Sequence, residues 1–206
     1  MKRRTFDSIL SVTGFVLAAV LLAAGALLNW GATFAKDTVK AQLVAQQITF
    51  GPAESFADEC TKPLAEWADK TVDSGEAAEA YSSLIKCHMQ AAYVGAGLSA
   101  DETYSSLGRA RALAGEVAAM PETTQAEKDA KAVKQAEVDT LNNLRSEIAF
   151  KGETLRSILL TAYAFGTIGT VAGIASIVAY GLAALMFILS ILGVLHLKRT
   201  SAEATL

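Results

Sequence analysis

The sequence predicts an all-α protein in which two transmembrane helices flank a helical extracytoplasmic domain. Two uncharged stretches lead to this prediction: 28 residues separate Asp7 from Lys36, and 41 residues separate Arg156 from Lys198. Each stretch exceeds the roughly 20 apolar residues that span a bilayer. The segment between them is rich in charge. We therefore expect an integral membrane protein with a polar insert, and neither a soluble enzyme nor a compact bundle of membrane helices.

The distribution of charge predicts the topology. Residues 31–155 hold 12 Lys/Arg and 19 Asp/Glu, a net charge of −7, whereas residues 2–4 and 198–199 are all Lys or Arg. Short flanks that carry positive charge stay in the cytoplasm. Both termini are therefore expected in the cytoplasm and the insert outside the plasma membrane. In chain order the expected parts are a cytoplasmic N-terminus (1–8), a first transmembrane helix (9–30), an extracytoplasmic helical domain (31–156), an apolar stalk (157–173), a second transmembrane helix (174–197) and a cytoplasmic C-terminus (198–206).

The first apolar stretch has two interpretations. Its basic start and the tripeptide Ala24-Gly25-Ala26 fit a cleaved signal peptide. The apolar run, however, continues beyond that tripeptide and ends at Asn29-Trp30, which is typical of an interfacial aromatic anchor. We favour an uncleaved helix that continues above the membrane to near Gln47.

The insert is expected to consist of short helices. One covers Glu54 to Val72 with a restart at Pro63, and Pro121 ends a later one. Capping-box patterns begin at Asp73, Ser99 and Thr124. The last helix is predicted to place these apolar residues on one side, with Glu137 as the exception: Ala130, Val133, Leu141, Leu144 and Ile148.

The second apolar stretch is longer than a membrane requires. A helix from Glu153 to Leu197 would be roughly 67 Å long at 1.5 Å per residue, whereas the hydrocarbon core is about 30 Å thick. The apolar residues from Ile158 to Phe165 would then form a collar above the bilayer. Exposed apolar collars of this kind are rarely left uncovered, so this one is a candidate docking surface.

Small residues in both spans allow close helix packing, as in Gly169-x-x-x-Gly173. Either a partner protein's helices or the chain's own two helices would pack through these faces, and the sequence leaves both open. The candidate residues for packing against a partner are Gly169, Gly173, Tyr163, Phe165, Trp30 and Phe34.

Cys60 and Cys87 are the only cysteines, and both fall in the segment assigned outside. Two thiols in an oxidising compartment usually form a disulfide. By restricting the unfolded chain, this bond is expected to stabilise the fold by roughly 3 to 4 kcal/mol. A copper site at Cys87-His88-Met89 is disfavoured, because consecutive helical residues point about 100° apart. We expect a disulfide and no metal or other cofactor.

Signs of catalysis or transport are weak. The two spans contain no Asp, Glu, Lys or Arg, and such residues mark ion pathways inside a bilayer. Glycine-rich phosphate loops after a strand are missing, and the acidic insert argues against nucleic-acid binding. Neither histidine has a partner set for hydrolysis. We therefore expect no enzyme and no small-molecule substrate.

Several runs resemble a known family. They are residues 1–7 (MKRRTFD), 33–50 (TFAKDTVKAQLVAQQITF), 150–156 (FKGETLR), 160–165 (LTAYAF) and 193–196 (GVLH). Together they resemble the two-span actinobacterial membrane proteins known as respiratory supercomplex association factors, which bind the cytochrome bcc–aa3 oxidase assembly. The resemblance covers both membrane ends and leaves the segment from Phe50 to Leu141 unmatched.

The resemblance implies a non-catalytic accessory subunit that aids the association or stability of the respiratory supercomplex, with integral membrane subunits of that complex as its partners. It brings no catalytic or cofactor-binding residues. The alternative from another class is a stand-alone cell-envelope protein whose outer domain binds a small molecule or wall component. That alternative predicts a closed pocket inside the insert.

Overall fold

The computed structural model describes residues 3–199. Within that range, the α-helices are α1 (Arg3–Ala45), α2 (Gly75–Gly95), α3 (Ala110–Ala118), α4 (Gln125–Asn143) and α5 (Lys151–Arg199). Short 3-10 helices cover Ala53–Phe56, Lys62–Trp67 and Ser106–Arg109, and a π-helix, Leu144–Phe150, joins α4 to α5. The only β pairing among these residues is one antiparallel bridge between Thr49 and Thr71. The all-helical fold class is therefore confirmed for the described part of the chain, whereas its extracytoplasmic arrangement stays a prediction.

The chain divides into two compact units. The first joins the residues through Lys40 to those from Phe165 onward, and the second is Ala41–Ala164. Both α1 and α5 contribute residues to each unit. The predicted long helices therefore exist: α1 ends within two residues of Gln47, and α5 runs unbroken through the whole predicted range from Glu153 to Leu197.

The first unit is a pair of apolar helices. Both are long and apolar enough to cross a membrane, and only 22% and 17% of their most apolar stretches are buried inside the protein. The core helix of a soluble protein would be mostly buried, because a helix that is apolar all round needs cover on every side. Low burial therefore leaves most of this apolar surface to be covered from outside the chain.

The second unit has its own hydrophobic core. Residues from α2, α3, α4, the 3-10 helix Ser106–Arg109 and the π-helix meet there, and its buried members are Met89, Tyr93, Leu107, Ala110, Leu141, Leu144 and Ala149. Gly152 belongs to the same core, because a Cβ at that position would overlap the sulfur of Met89. Burial of apolar side chains, rather than helix propensity alone, therefore holds these short helices together.

The expected helix from Glu54 to Val72 is wrong. That segment contains only two 3-10 helices of four and six residues. Its ends run antiparallel, with backbone N–H groups of Phe50 and Val72 donating to Lys70 O and Ile48 O, both at 2.9 Å. The segment is therefore a compact loop closed on itself.

Two of the three expected capping boxes are also wrong. α2 is capped by Ser74, whose Oγ accepts a hydrogen bond from the N–H of Ala77, so the helix begins one residue later than Asp73 implies. Ser99 opens no helix, because its Oγ accepts from the N–H of Asp101 in a local turn. Thr124 is confirmed: its side chain and that of Glu127 form a full capping box at the start of α4.

The apolar face predicted along the last helix is only partly correct. Leu141 and Leu144 are buried, but Val133 is 73% exposed. Ile148 is half-buried and packs against the core, as predicted, whereas the π-helix adds about one residue per turn and makes Ala149 the fully buried position after Leu144. The shift depends on backbone geometry that a regular 3.6-residue period does not describe.

Candidate functional site

The helix seam is the contact surface of α1 and α5 in the first unit. It is antiparallel, since Ser11 and Gly14 of α1 lie against Gly193 and Ser190 of α5 at one end. At the other end, a Cβ on Gly169 would lie 3.2 Å from Ala32 O. The seam consists mainly of small residues: Ser11, Gly14, Ala18, Gly25 and Ala32 on α1, and Gly169, Gly173, Ser176, Ala183, Ser190 and Gly193 on α5.

The hydroxyl groups in the helix seam are satisfied within their own helices. Ser11 Oγ donates to Asp7 O at 2.9 Å, and Ser190 Oγ donates to Met186 O at 2.8 Å. Ser176 Oγ makes the equivalent bond to Gly173 O at 2.8 Å. The seam is therefore held by close van der Waals packing, the mode that small residues permit between helices in an apolar solvent.

Gly169 and Gly173 lie in this seam. Gly169 lies beside Ala32, Ala35 and Lys36, and a Cβ on Gly173 would be 3.7 Å from Ala32 Cβ. Of the two interpretations left open by the sequence, the structure therefore shows the chain's own helices packing through these glycines. Contact between either glycine and a partner stays a prediction.

The aromatic candidates lie mostly on the outside. Trp30 is 68% exposed and Phe34 is 59% exposed, and their rings stack with centroids 5.7 Å apart. Phe165 is also exposed, whereas Tyr163 is half-buried. Three of the six candidates are therefore available for contact with a lipid or protein partner.

The disulfide predicted from the sequence is confirmed. Cys60 and Cys87 are bonded, with Cα atoms 5.8 Å apart. The bond fastens the loop of residues 46–74 to α2. Phe50 anchors the same loop, because its buried ring packs edge-on to Tyr81 and stacks on Trp67, with centroid distances of 5.2 and 5.7 Å.

The pKa values of Glu102 and Tyr93, in the second unit, are shifted in opposite directions. Hydrogen bonds from Arg109 and Ser106 lower the pKa of Glu102, whose two oxygens each lie 2.8 Å from a nitrogen of Arg109. Burial, and then the charges of Glu153 and Glu102, raise the pKa of Tyr93. The hydroxyl of Tyr93 has no hydrogen-bond partner among the described residues. It is a neutral and uncompensated polar group in the core.

An exposed aromatic–cation cluster surrounds the π-helix. The Arg145 guanidinium lies 4.3 Å from the centroid of the Tyr104 ring, and Arg145 Nε donates to Tyr104 O at 3.2 Å. The ring of Phe150 lies 6.1 Å from that of Tyr104. This cluster is not among the residues predicted from the sequence, because its members come together only through the π-helix and a loop 41 residues away.

A groove of about 420 Å³ follows one face of α5 in the second unit. Its lining residues are Glu153, Arg156, Ser157, Leu160, Thr161 and Ala164. Arg156 is already engaged: its Nη1 lies 2.9 Å from both oxygens of Glu153, and its Nε donates to Ser82 O at 3.3 Å. The groove therefore presents a neutralised ion pair beside apolar and hydroxyl side chains.

His88 is exposed. It lies on the outer side of α2, whereas Leu84 and Cys87 of the same helix are buried. Among residues 3–199, no group of three or more His, Cys, Asp or Glu side chains could hold a metal ion. Comparison with models of protein families, with curated proteins and with solved structures finds no match for this chain.

Proposed function

We propose that this chain is a two-pass plasma-membrane protein that serves as a non-catalytic accessory subunit of a membrane respiratory complex. The observation that carries the proposal is the outward apolar surface of the helix pair. Apart from Phe15, Phe187 and Tyr180, whose rings contact the opposite helix, the helix seam uses mainly small side chains, so many bulky aliphatic and aromatic residues are left exposed. Lipid tails can cover such a surface, and the helices of a partner protein can pack against part of it.

The contact with a partner is assigned to the outward aromatic residues. Trp30 and Phe34 form one exposed stacked pair, and Phe165 is exposed on the other helix. Aromatic side chains carry much of the binding energy in protein interfaces, because they bury a large area with few rotatable bonds. The glycines of the seam act indirectly, by setting the spacing of the two helices.

The second unit is proposed to lie outside the cytoplasm and to contact extracytoplasmic parts of the complex. Its disulfide fits an oxidising compartment. The cytochrome bcc–aa3 supercomplex is proposed as the complex on the basis of the resemblance at both membrane ends. The segment from Phe50 to Leu141 adds nothing to that assignment.

A pull-down from native membranes tests the proposal. The chain would carry an affinity tag at its C-terminus and be extracted in a mild detergent known to preserve respiratory supercomplexes. We expect haem a, b and c absorption bands and oxidase subunits in near-equal amounts with the tagged chain. A colourless preparation of the chain alone, from membranes in which the supercomplex survives extraction, would contradict the proposal.

The groove on α5 favours a second candidate function, a stand-alone protein that binds a small molecule. This groove is open along one helix face and its charged pair is internally neutralised, whereas a typical ligand site is concave with convergent polar groups. The accessory-subunit proposal therefore has the better support. Retention of a small molecule by the purified colourless chain would reverse that preference.

A further inference from the structure

The basic residues of the first unit gather at one end of the helix pair. Arg4 lies in the first turn of α1, and Lys198 and Arg199 lie in the last turn of α5. All three side chains are exposed. None of them forms an ion pair with another residue in the range 4–199.

The antiparallel register of the helix seam brings these residues to the same level. Gly14 lies against Ser190, and Ser11 lies against Gly193. Continuing that register toward the helix ends places the first turn of α1 beside the last turn of α5. Arg4 therefore stands next to the Lys198–Arg199 pair, although nearly the whole chain separates them in sequence. Asp7 is the one carboxylate described at this end, so the cluster remains cationic.

Next to the basic cluster, toward the middle of the helix pair, lie side chains that are apolar and exposed. Phe6 is 44% exposed on α1, and Leu192 and Leu195 are 54% and 47% exposed on α5. A cationic rim next to an outward apolar surface matches the chemistry of a phospholipid, whose phosphate lies just outside its acyl chains. Arginine can bind a phosphate through two parallel hydrogen bonds. Lysine adds a point charge, and cations are also favoured at the C-terminal end of a helix dipole.

We infer that Arg4, Lys198 and Arg199 form a binding site for the phosphate of an anionic phospholipid headgroup. The charge complementarity and the adjoining apolar surface carry this assignment. The inference depends on the proposed membrane location and goes beyond it, because it names a lipid class and a side of the helix pair. The headgroup would fix this end of the protein in the leaflet richer in anionic lipid.

Lipid retention in nanodiscs tests the site. The full chain is reconstituted with a mixture of phosphatidylcholine and phosphatidylglycerol, partly delipidated, and the retained lipids are quantified by mass spectrometry. The site variant is Arg4→Gln/Lys198→Gln/Arg199→Gln. Its matched control, of equal charge change, carries Arg111→Gln/Lys128→Gln/Lys134→Gln at exposed positions of the second unit.

The wild type and the control are expected to retain phosphatidylglycerol in preference to phosphatidylcholine. In the site variant this preference is expected to be about tenfold lower. High salt should lower the preference of the wild type, because it screens exposed charges; this measurement needs no variant. An unchanged preference in the site variant, or in high salt, would overturn the inference. Displacement of the lipid by inorganic phosphate alone would overturn the lipid assignment in favour of a general anion site.

The outcomes also separate this inference from the proposed function. A chain that enters nanodiscs without preferring anionic lipid overturns the headgroup site and leaves the accessory role standing. A chain that does not enter nanodiscs overturns the membrane location and the headgroup site together.

Discussion

Substitution of Gly14 by Ala is the sharpest perturbation of the helix seam. A Cβ at Gly14 would overlap Ser190 Oγ, whereas its next neighbours, Ser190 Cβ and Met186 Cε, would lie at 3.4 and 3.8 Å. The last two distances are ordinary van der Waals contacts. The predicted cost therefore comes almost entirely from one oxygen atom.

Ser190 Oγ therefore sets the size of the predicted loss of helix-pair stability, and removing this oxygen should restore the stability. Overpacking a tight interface costs about 1–3 kcal/mol, so Gly14→Ala should weaken the helix pair by that amount. Ser190→Ala removes the oxygen, whose hydrogen bond runs within its own helix to Met186 O. The double variant should then recover most of the loss, which gives a coupling energy of about 1–3 kcal/mol between the two positions.

Energy transfer between fluorophores attached to the two chain ends would report on the helix pair during denaturation in mixed micelles. Gly181→Ala is the matched control, because nothing lies within 4 Å of a Cβ at that position. We expect Gly14→Ala to lower the denaturation midpoint, and Gly181→Ala and the double variant to stay near the wild type. Equal midpoints for the two single variants, or no rescue by Ser190→Ala, would refute the seam geometry.

Three further predictions concern the second unit, each read from its unfolding. Replacing Cys60 and Cys87 together by Ala should lower its free energy of unfolding by roughly 3 to 4 kcal/mol, because the bond closes a loop of 27 positions. Tyr93→Phe should leave the stability unchanged or raise it, since a buried hydroxyl without a partner costs about 1–3 kcal/mol. Acidification should weaken the unit as Glu102 is protonated. Because its pKa is lowered in the folded state, its contribution is present at neutral pH and is lost as the pH falls through the lowered pKa. Glu102→Gln should remove that part of the acid sensitivity, about 1 kcal/mol or less for a pair this close to solvent.

A specific result would contradict each of these predictions. Cysteine variants as stable as the wild type would mean that the aromatic cluster around Phe50 alone fixes the loop. A loss of more than about 1 kcal/mol in Tyr93→Phe would mean that an ordered water satisfies the hydroxyl. An acid transition that Glu102→Gln leaves unchanged would assign the sensitivity to other carboxylates.

The sequence predicts those helices that are determined by local features of the sequence. Long uncharged runs predict α1 and α5, and the box at Thr124 predicts the start of α4, because both signals depend on residues within a few positions of one another. The loop of residues 46–74 could not be predicted in this way. Its shape depends on the buried ring of Phe50 and on a bond between Cys60 and Cys87, and these contacts overrode the helical pattern from Glu54 to Val72.

The candidate site is also only partly readable from the sequence. The GxxxG spacing indicates a helix contact, but it does not say whose helix makes it. A finer signal was present: Ser11, Ala18, Gly25 and Ala32 recur every seven residues, which predicts one continuous seam along α1. The basic cluster needs the register of that seam, since Arg4 and Arg199 come together only when the two helices are paired.

Photo-crosslinking in native membranes tests the central claim most directly, namely that the outward apolar faces contact a partner protein. A photoreactive amino acid replaces Phe34 or Phe165 on the outside, or Ala183 in the helix seam as the control. We predict adducts to another integral membrane protein from both outward positions, and only adducts within the chain from Ala183. Lipid adducts alone from Phe34 and Phe165 would contradict the claim and leave a membrane protein without a partner at this surface.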